Sequence, residues 1–432
     1  MLRLPSLTIF RHRLYLRYWW SRVLVVLALQ VQTTAMGWQV YDAARDHGQS
    51  IAQAAFVLGL VGLAQFLPLL LLSLFGGFAA DRYSRRWIVF ACVVGKSIIA
   101  LGLAAAAGAG VGEDIVPVIL TAAVFAGAIN AFLPAAQSAL LPMLVPREDL
   151  PLAVAWSSMA FQTSVIAGPA IGGLLYAFGP IAPYSVAFAM LAISALMILA
   201  LRAPPQASVA EAQTLNMISE GLRFVWSNKI VLGAISLDLV VVLLAGAVAL
   251  LPVFARDILH AGPEELGVLR AAMGVGATIV AVMLAVAPLR RRVGVWMFGA
   301  TIVFGLMMVV FGISQYLWLS AAALAVAGGV DMISVYVRQT LIQLATPDEM
   351  RGRVSAVSYV FISASNEFGD FEAGLMARIL GPVLAVSLGG ALSVAASIGW
   401  IKMFPELAKA DGFEPKVEPR PPPDQKPASG AA

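Results

Sequence analysis

A short cationic turn indicates the fold: Gly76-Gly77-Phe78-Ala79-Ala80-Asp81-Arg82-Tyr83-Ser84-Arg85-Arg86-Trp87-Ile88. A long apolar segment leads into this turn from about residue 52, and a second apolar segment follows it to about residue 110. Each segment is longer than the roughly 20 residues that a helix needs to cross the hydrocarbon core of a bilayer. The turn therefore predicts two membrane helices joined by a tight, positively charged loop.

The composition supports the same class of protein. Hydrophobic residues make up 60% of the 432 residues, and charged residues make up 12%, whereas soluble domains carry about 25% charged residues. The apolar runs are continuous and do not alternate as the strands of a membrane barrel do. Because backbone groups in lipid must be bonded internally, these runs are expected to form helices.

The same pattern continues along the chain and predicts an all-α integral membrane protein with twelve spans. Their approximate bounds are 23–42, 52–80, 87–110, 115–141, 152–178, 183–201, 230–254, 265–289, 295–313, 316–345, 354–378 and 382–404. Residues 1–201 form an N-terminal six-helix half and residues 230–404 a C-terminal six-helix half. The connector 202–229 contains an amphipathic helix at about 215–226, and the proline-rich tail 405–432 is expected to be disordered.

The distribution of positive charge predicts the orientation. Of the 28 Lys and Arg residues, Arg45, Arg256 and Arg378 fall in predicted outer loops, and Lys96, Arg270 and Arg338 fall within spans. All the others fall in segments that are cytoplasmic if the N-terminus is cytoplasmic. The positive-inside rule therefore predicts cytoplasmic N- and C-termini.

The cationic turn resembles the loop motif between the second and third helices of the major facilitator superfamily. The residues that carry the resemblance are Gly77, Asp81, Arg82, Arg85 and Arg86. The resemblance implies two six-helix halves that hold a substrate between them near the midplane. It also implies that the motif latches the halves in the outward-facing state, with contacts to a helix C-terminus or anionic lipid. The alternative is that the arginines only set the topology.

A glycine-rich segment in the fifth predicted span is the second motif. Its residues are Ser164, Gly168, Pro169, Gly172 and Gly173. Small residues four positions apart share one helix face and let another helix approach closely. The segment resembles the antiporter signature of exporters in the superfamily, which implies export. Tight helix packing alone would require the same small residues, so it is the alternative.

Ionisable residues inside the spans are the candidates for the transport chemistry, because a charge in the hydrocarbon region is costly. Four carboxylates are expected to couple transport to protons: Asp331, Glu367, Asp370 and Asp238. Burial disfavours the charged form of a carboxylate, as suits a group that takes up and releases a proton. The alternative is a structural ion pair with Arg338 or Lys96. Asp331 and Arg338 are two helical turns apart, so a partner on another helix is favoured for each.

Three segments of the second half narrow the resemblance. Residues 221–225, 339–354 and 364–374 are similar to enterobactin-exporter-like facilitators, the transmembrane secretion effector branch of the superfamily. Members of this branch are bacterial inner-membrane exporters of siderophores or drugs. The resemblance implies a proton-coupled exporter of a small amphipathic compound that works by alternating access. A facilitator or lipid-handling transporter that ignores the proton gradient is the alternative.

Other classes of function find little support in the sequence. The three histidines lie outside the predicted spans and there is one cysteine, so neither an intramembrane metal site nor an enzyme is expected. There is no phosphate-binding loop of the kind that ATP-driven pumps need. We therefore expect no cofactor or metal, no nucleic-acid partner, the proton gradient as the energy source, and function as a monomer in the bilayer.

Overall fold

The computed structural model describes residues 7–110, 115–201, 214–289, 291–347 and 350–412. The regular elements in these ranges are all helices. In the first half they are α1 (Arg13–Asp46), α2 (Ile51–Arg82), α3 (Arg85–Gly108), α4 (Ile115–Asn130), α5 (Leu133–Leu140), α6 (Leu150–Tyr176) and α7 (Ile181–Leu199). Helix α8 (Thr214–Ser227) lies in the connector, where the amphipathic helix was predicted.

The second half continues the helical pattern. Its helices are α9 (Lys229–Leu244), α10 (Leu251–Val253), α11 (Pro263–Val286), α12 (Val293–Ile313), α13 (Leu317–Ala345), α14 (Arg351–Leu380), α15 (Pro382–Met403) and α16 (Pro405–Ala408). Eleven stretches of the described chain are long and apolar enough to cross a membrane. Helix α14 supplies the twelfth span: it is 30 residues long and carries the carboxylates Glu367, Asp370 and Glu372 along its length.

Two predicted spans are broken, which corrects the prediction of continuous helices at 115–141 and 230–254. The fourth span consists of α4 and α5 with a turn between them. The seventh consists of α9, a 3-10 turn at Ala247–Leu250, the short α10 and a π-helical turn at Phe254–Ile258. A proline follows each break, Pro134 and Pro252. Each lacks the N–H that would bond to the carbonyl four residues earlier, and its ring crowds that carbonyl.

Near both ends, the described chain is helical beyond the predicted spans. Helix α1 begins at Arg13, ten residues before the predicted span, because its first turns pack inside the first half. The buried hydroxyls of Tyr15 and Tyr18 donate to the carbonyls of Ala153 (2.9 Å) and Gln137 (3.0 Å). At the other end, α16 lies within the predicted tail, and its Leu407 is fully buried. Residues 413–432 lie outside the described chain.

Helix packing defines the two predicted halves and the contact between them. In the first half α1 packs on α6 and α7, and α3 packs on α7; in the second, α11 packs on α13 and α12 packs on α15. Two helix pairs join the halves: α2 with α14, and α6 with α11. These pairs border a central space, and that space holds the candidate site.

Candidate functional site: a charged cavity between the halves

A cavity of about 120 Å³ lies between the two halves. Its wall is apolar apart from a few polar side chains: Gln32, Thr33, Gln65, Lys96, Asn130, Arg270 and Asp370. These side chains come from six helices and from both halves. A mostly apolar cavity with a few convergent polar groups is typical of a small-molecule binding site.

Lys96 contributes a buried positive charge from the first half. It lies near the middle of α3, is 3% exposed, and its Nζ donates to Oδ1 of Asn130 on α4 at 2.8 Å. A lysine whose head remained in the interfacial water would lie near a helix end, whereas Lys96 lies in mid-helix and has a bonded partner. Lys96 also interacts electrostatically with Glu367 of α14, across the interface between the halves.

Arg270 contributes a second positive charge, from α11 in the second half. Its Nη1 lies 3.4 Å from Oγ1 of Thr34 on α1, and its buried Nε has no hydrogen-bond partner among the described residues. Arg270 interacts electrostatically with Asp370, which lines the same cavity. Two cations and two carboxylates thus lie within electrostatic range at this level, without an ion pair among them in the described chain, and each half supplies at least one of them.

Glycines of α2 bring the carboxylates to the interface. A Cβ atom added to Gly62 would lie 2.8 Å from both Asp370 Cβ and the Glu367 backbone oxygen. A Cβ added to Gly59 would lie 2.9 Å from Gly374 Cα. Only helices with small residues at the crossing can approach this closely. Glu367 and Asp370 therefore lie directly against the first half.

The other two coupling candidates have different surroundings. Asp238 of α9 forms an ion pair with Arg338 of α13, and both side chains are buried within the second half. A buried ion pair of this kind is the structural alternative to a proton-coupling role for Asp238. It gives Arg338 a partner on another helix, as predicted. Asp331 lies in the middle of α13, half-buried, and is not part of the cavity wall.

Glu372 lies apart from the charged cavity. It lines a second cavity, of about 50 Å³, between α14, α15 and the break in the seventh span. The other residues of that wall are apolar. The two cavities therefore differ in chemistry, and the convergent charges belong to the central one.

Ion pairs join the halves at the predicted outer end, where α1 ends and the seventh span ends. Arg256 binds Asp42 and Asp46, each at 2.6 Å. Asp257 accepts from Nη2 of Arg45 at 2.9 Å and also from the Tyr41 hydroxyl. We call the five charged residues of this set the outer gate: Asp42, Arg45, Asp46, Arg256 and Asp257. They join the two halves at this end.

The cationic turn makes its described contacts within the first half. Arg85 donates to the Ala139 carbonyl at 3.3 Å, in the last turn of α5. Arg86 donates to the Ile198 carbonyl at 3.1 Å, in the last turn of α7. The predicted contact with helix C-termini is thus confirmed for these two arginines. Arg82 lies over the Phe78 ring at 5.8 Å.

The other two residues of the predicted latch are Gly77 and Asp81. A Cβ added to Gly77 would meet nothing within 4 Å, and the Asp81 side chain lies outside the described part of the structure. The latch between the halves therefore stays a prediction.

The glycine motif of α6 packs on two partners. Added Cβ atoms at Gly168 and Gly172 would lie 2.3 Å from Gln30 Cβ and 3.0 Å from the Val31 oxygen, both on α1. A Cβ added to Gly173 would lie 2.2 Å from the Pro263 oxygen on α11. The predicted close helix approach is confirmed, and it occurs on two sides. Ser164 bonds within its own helix: its Oγ donates to the Ala160 carbonyl at 2.8 Å.

The glycine motif also joins the halves. Around Pro169, the α6 backbone approaches Gly267 of α11, where an added Cβ would lie 2.9 Å from the Pro169 oxygen. Gly173 and Gly267 thus lie on opposite sides of the contact between the two halves.

Several site residues were missed at the level of sequence. Arg270 is an ionisable residue inside a span and carried the same signal as Lys96. The outer gate also had a signal, because Asp42, Arg45 and Asp46 and the pair Arg256 and Asp257 place opposite charges at the outer ends of spans one and seven. Gln32, Gln65 and Asn130 carried none, since an amide within a span does not indicate which side of the helix faces a cavity.

Comparison with known proteins agrees with this architecture. Residues 5–426 match the family described as transmembrane secretion effector. The chain is 28% identical over 368 residues to the enterobactin exporter EntS of Shigella boydii serotype 18, covering 84% of this chain and 86% of that protein. It is 27% identical over 341 residues to the enterobactin exporter EntS of Citrobacter koseri, covering 78% and 80%.

Solved structures share the fold at low sequence identity. The D-xylose-proton symporter superposes with a TM-score of 0.69 at 15% identity, covering 91% of this chain and 99% of that one. The inward-open xylose transporter XylE from E. coli superposes with a TM-score of 0.64 at 12% identity, covering 90% and 95%. The fold and the relatives are those of multi-pass transporters and not of enzymes. The chain belongs to the transmembrane secretion effector family of the major facilitator superfamily.

Proposed function

We propose that the protein is a proton-coupled exporter of the bacterial inner membrane that moves a small amphipathic compound outward by alternating access. The observation that carries the proposal is the central cavity, where Asp370 and Glu367 lie near Lys96 and Arg270 at the contact between the halves. Ionisable groups inside a membrane protein mark substrate or ion pathways.

The geometry suggests how a proton acts on the conformation. Glu367 is on the second half and Lys96 is on the first, so their attraction holds the halves together only while Glu367 is charged. A proton on Glu367 removes that attraction and favours separation of the halves at this level. The ion pairs of the outer gate join the halves at the predicted outer end, which supports a state that loads from the cytoplasm.

The relatives suggest the first substrate to test. Proteins 27–28% identical to this chain carry the name enterobactin exporter. Enterobactin is therefore the first candidate, and lipophilic dyes and antibiotics are the next.

The test is uptake into inverted membrane vesicles with and without a pH gradient. We expect gradient-driven accumulation in the wild type, and its loss in Glu367→Gln or Asp370→Asn, because neither amide exchanges a proton. The matched control is Glu406→Gln, which neutralises a carboxylate that is 56% exposed on its side chain, outside the spans. Size-exclusion profiles confirm that each variant is folded.

The competing function is a facilitator that ignores the proton gradient. The buried ion pair of Asp238 and Arg338 favours it, because it shows that an intramembrane charge in this protein can have a structural partner. Accumulation that is unaffected by the gradient and by both substitutions would reject proton coupling and leave the facilitator.

A further inference from the structure

We infer that Lys96 and Arg270 bind the substrate itself, and that they recognise a hydroxyl-bearing polar head on an amphipathic compound. The inference rests on the proposed function, since it concerns the cavity through which that function would operate. It assigns the two buried cations a role beyond pairing with carboxylates.

Lys96 has spare hydrogen-bonding capacity. An ammonium group carries three donors, and the bond described for Lys96 goes to the neutral amide of Asn130. No carboxylate of the described residues lies within ion-pair distance of its Nζ. A buried cation without a close counter-charge or a full set of acceptors is costly, so a ligand that supplies an acceptor to Lys96 is strongly favoured.

Unpartnered atoms in the same wall complete the pattern. Arg270 Nε is a buried donor without an acceptor, and Gln32 Oε1 is a buried acceptor without a donor among the described residues. Gln32 is 5% exposed and lines the cavity with Lys96 and Arg270. Both halves therefore contribute to one set of unsatisfied polar atoms: Gln32 and Lys96 come from the first and Arg270 from the second.

A hydroxyl group satisfies this set. Its oxygen accepts from Lys96 and Arg270, and its hydrogen is donated to Gln32 or Asp370. The charges of Lys96, Arg270, Glu367 and Asp370 sum to zero, so a neutral head enters the cavity without adding an uncompensated charge. Apolar side chains line the rest of the wall and contact the hydrocarbon part of the compound: Leu29, Met36, Leu58, Val61 and Ile99.

This recognition is compatible with exchange of substrate for a proton. A charged Asp370 accepts the hydroxyl hydrogen, and a protonated Asp370 accepts it less well. The substrate hydroxyl and the transported proton then compete for one carboxylate.

The test is equilibrium binding to the full chain in lipid nanodiscs, with protein-free nanodiscs subtracted. The probes are a 4-alkyl-7-hydroxycoumarin and its 7-methoxy ether, which differ in the donor hydrogen and in bulk at the oxygen. We expect the wild type to bind the hydroxyl form about tenfold or more tightly than the ether, because hydrogen bonds to charged groups are the stronger kind.

The variants are Lys96→Gln and Arg270→Gln, with Lys229→Gln as the control because its side chain is 74% exposed. We expect each cavity variant to bring the ratio of the two dissociation constants close to one, while the ether binds as in the wild type. Lys96→Arg, which keeps the charge, restores part of the preference and shows that a folded cavity is being measured.

The outcomes separate the inference from the proposed function. Equal binding of both probes to the wild type, binding of neither, or an unchanged preference in both cavity variants would overturn the inference. Vesicle uptake that ignores the proton gradient would overturn the proposed coupling and would leave the binding ratio as it stands.

Discussion

Buried charges in this protein fall into two kinds. Asp238 and Arg338 lie within ion-pair distance of each other, and both belong to the second half. Lys96 and Arg270 instead face a cavity, with carboxylates at longer range. A charge of the first kind has a fixed partner, and a charge of the second kind can change its partner during transport.

The paired charges predict a stability effect. We expect Asp238→Asn or Arg338→Gln alone to destabilise the fold by about 3–5 kcal/mol, because each leaves an uncompensated buried charge. The double variant Asp238→Leu/Arg338→Met removes both charges and recovers most of the loss. The measurement is the thermal unfolding midpoint in detergent. Single variants as stable as the wild type would show that the pair contributes nothing to the fold.

Helix α6 shows how small residues determine the contact between elements. Its glycines approach α1 on one side and α11 on the other. Helix α6 therefore packs within the first half and also against the second half. A methyl group added to one of these glycines fits only if the neighbouring atoms move away. The nearest neighbour of Gly173 is a backbone oxygen, which moves only with its helix.

The α6 contact predicts different outcomes for two glycines in spans. We expect Gly173→Ala to slow transport by about tenfold or more, because overpacking a close helix contact is costly. The added Cβ would lie 2.2 Å from the Pro263 oxygen. The control is Gly102→Ala in α3, where an added Cβ meets nothing within 4 Å. Alanine there favours the helix by about 0.5–1 kcal/mol. Vesicle uptake at matched expression measures both, and full activity of Gly173→Ala would show that α6 and α11 separate easily.

Helix α16 holds the inner ends of two spans together. Leu407 is fully buried, and added Cβ atoms at Gly233 of α9 and Gly294 of α12 would lie 3.3 Å from a Leu407 methyl carbon and 2.1 Å from its carbonyl oxygen. The backbone N–H of Gly294 also donates to the Ala410 carbonyl at 3.1 Å. The short helix thus fills a gap between α9 and α12.

The packing of α16 predicts the effect of a single truncation. Leu407→Ala should lower stability by about 2–5 kcal/mol, as is typical for a large buried aliphatic side chain. Lys409→Ala is the matched control, because Lys409 in the same segment is exposed. Thermal unfolding in detergent distinguishes the two. Equal midpoints would mean that the segment is not packed on α9 and α12.

At the scale of the whole molecule, the outer gate joins the two halves at the predicted outer end. Arg45 and Asp257 have side chains that are 26% and 13% exposed, so water reaches part of the pair. Partly exposed pairs of this kind contribute about 1 kcal/mol or less. Even so small a contribution shifts an equilibrium between two conformations about fivefold.

The outer gate predicts a population shift. We expect Arg45→Asp to favour the outward-open state, because it places two carboxylates together, and the exchanged pair Arg45→Asp/Asp257→Arg to restore closure. Spin labels at His47→Cys and Glu264→Cys, in a Cys92→Ser background, report the separation by double electron–electron resonance. A longer distance in the single variant and a return in the double variant are expected. Identical distances in all three proteins would show that the gate does not set the conformation.

The sequence by itself determined the class and the course of the chain. The length and continuity of the apolar runs require membrane helices, because lipid cannot bond to a free backbone. The bounds of most helices lie within a few residues of the predicted ones, since turn residues and charges end the apolar runs. The cost of burying a charge also pointed to Lys96, Asp331, Glu367 and Asp370 as special residues.

Only the tertiary structure decided which of these charges meet. Asp238 and Arg338 are 100 positions apart in the chain, and helix packing rather than spacing makes them partners. The same packing places Lys96 and Arg270 in one cavity and the outer gate across two halves. A membrane helix exposes apolar side chains both to lipid and to its neighbours, so hydropathy does not reveal which face turns inward. That choice depends on close approach at glycines such as Gly62 and Gly173, which is a property of the pair of helices.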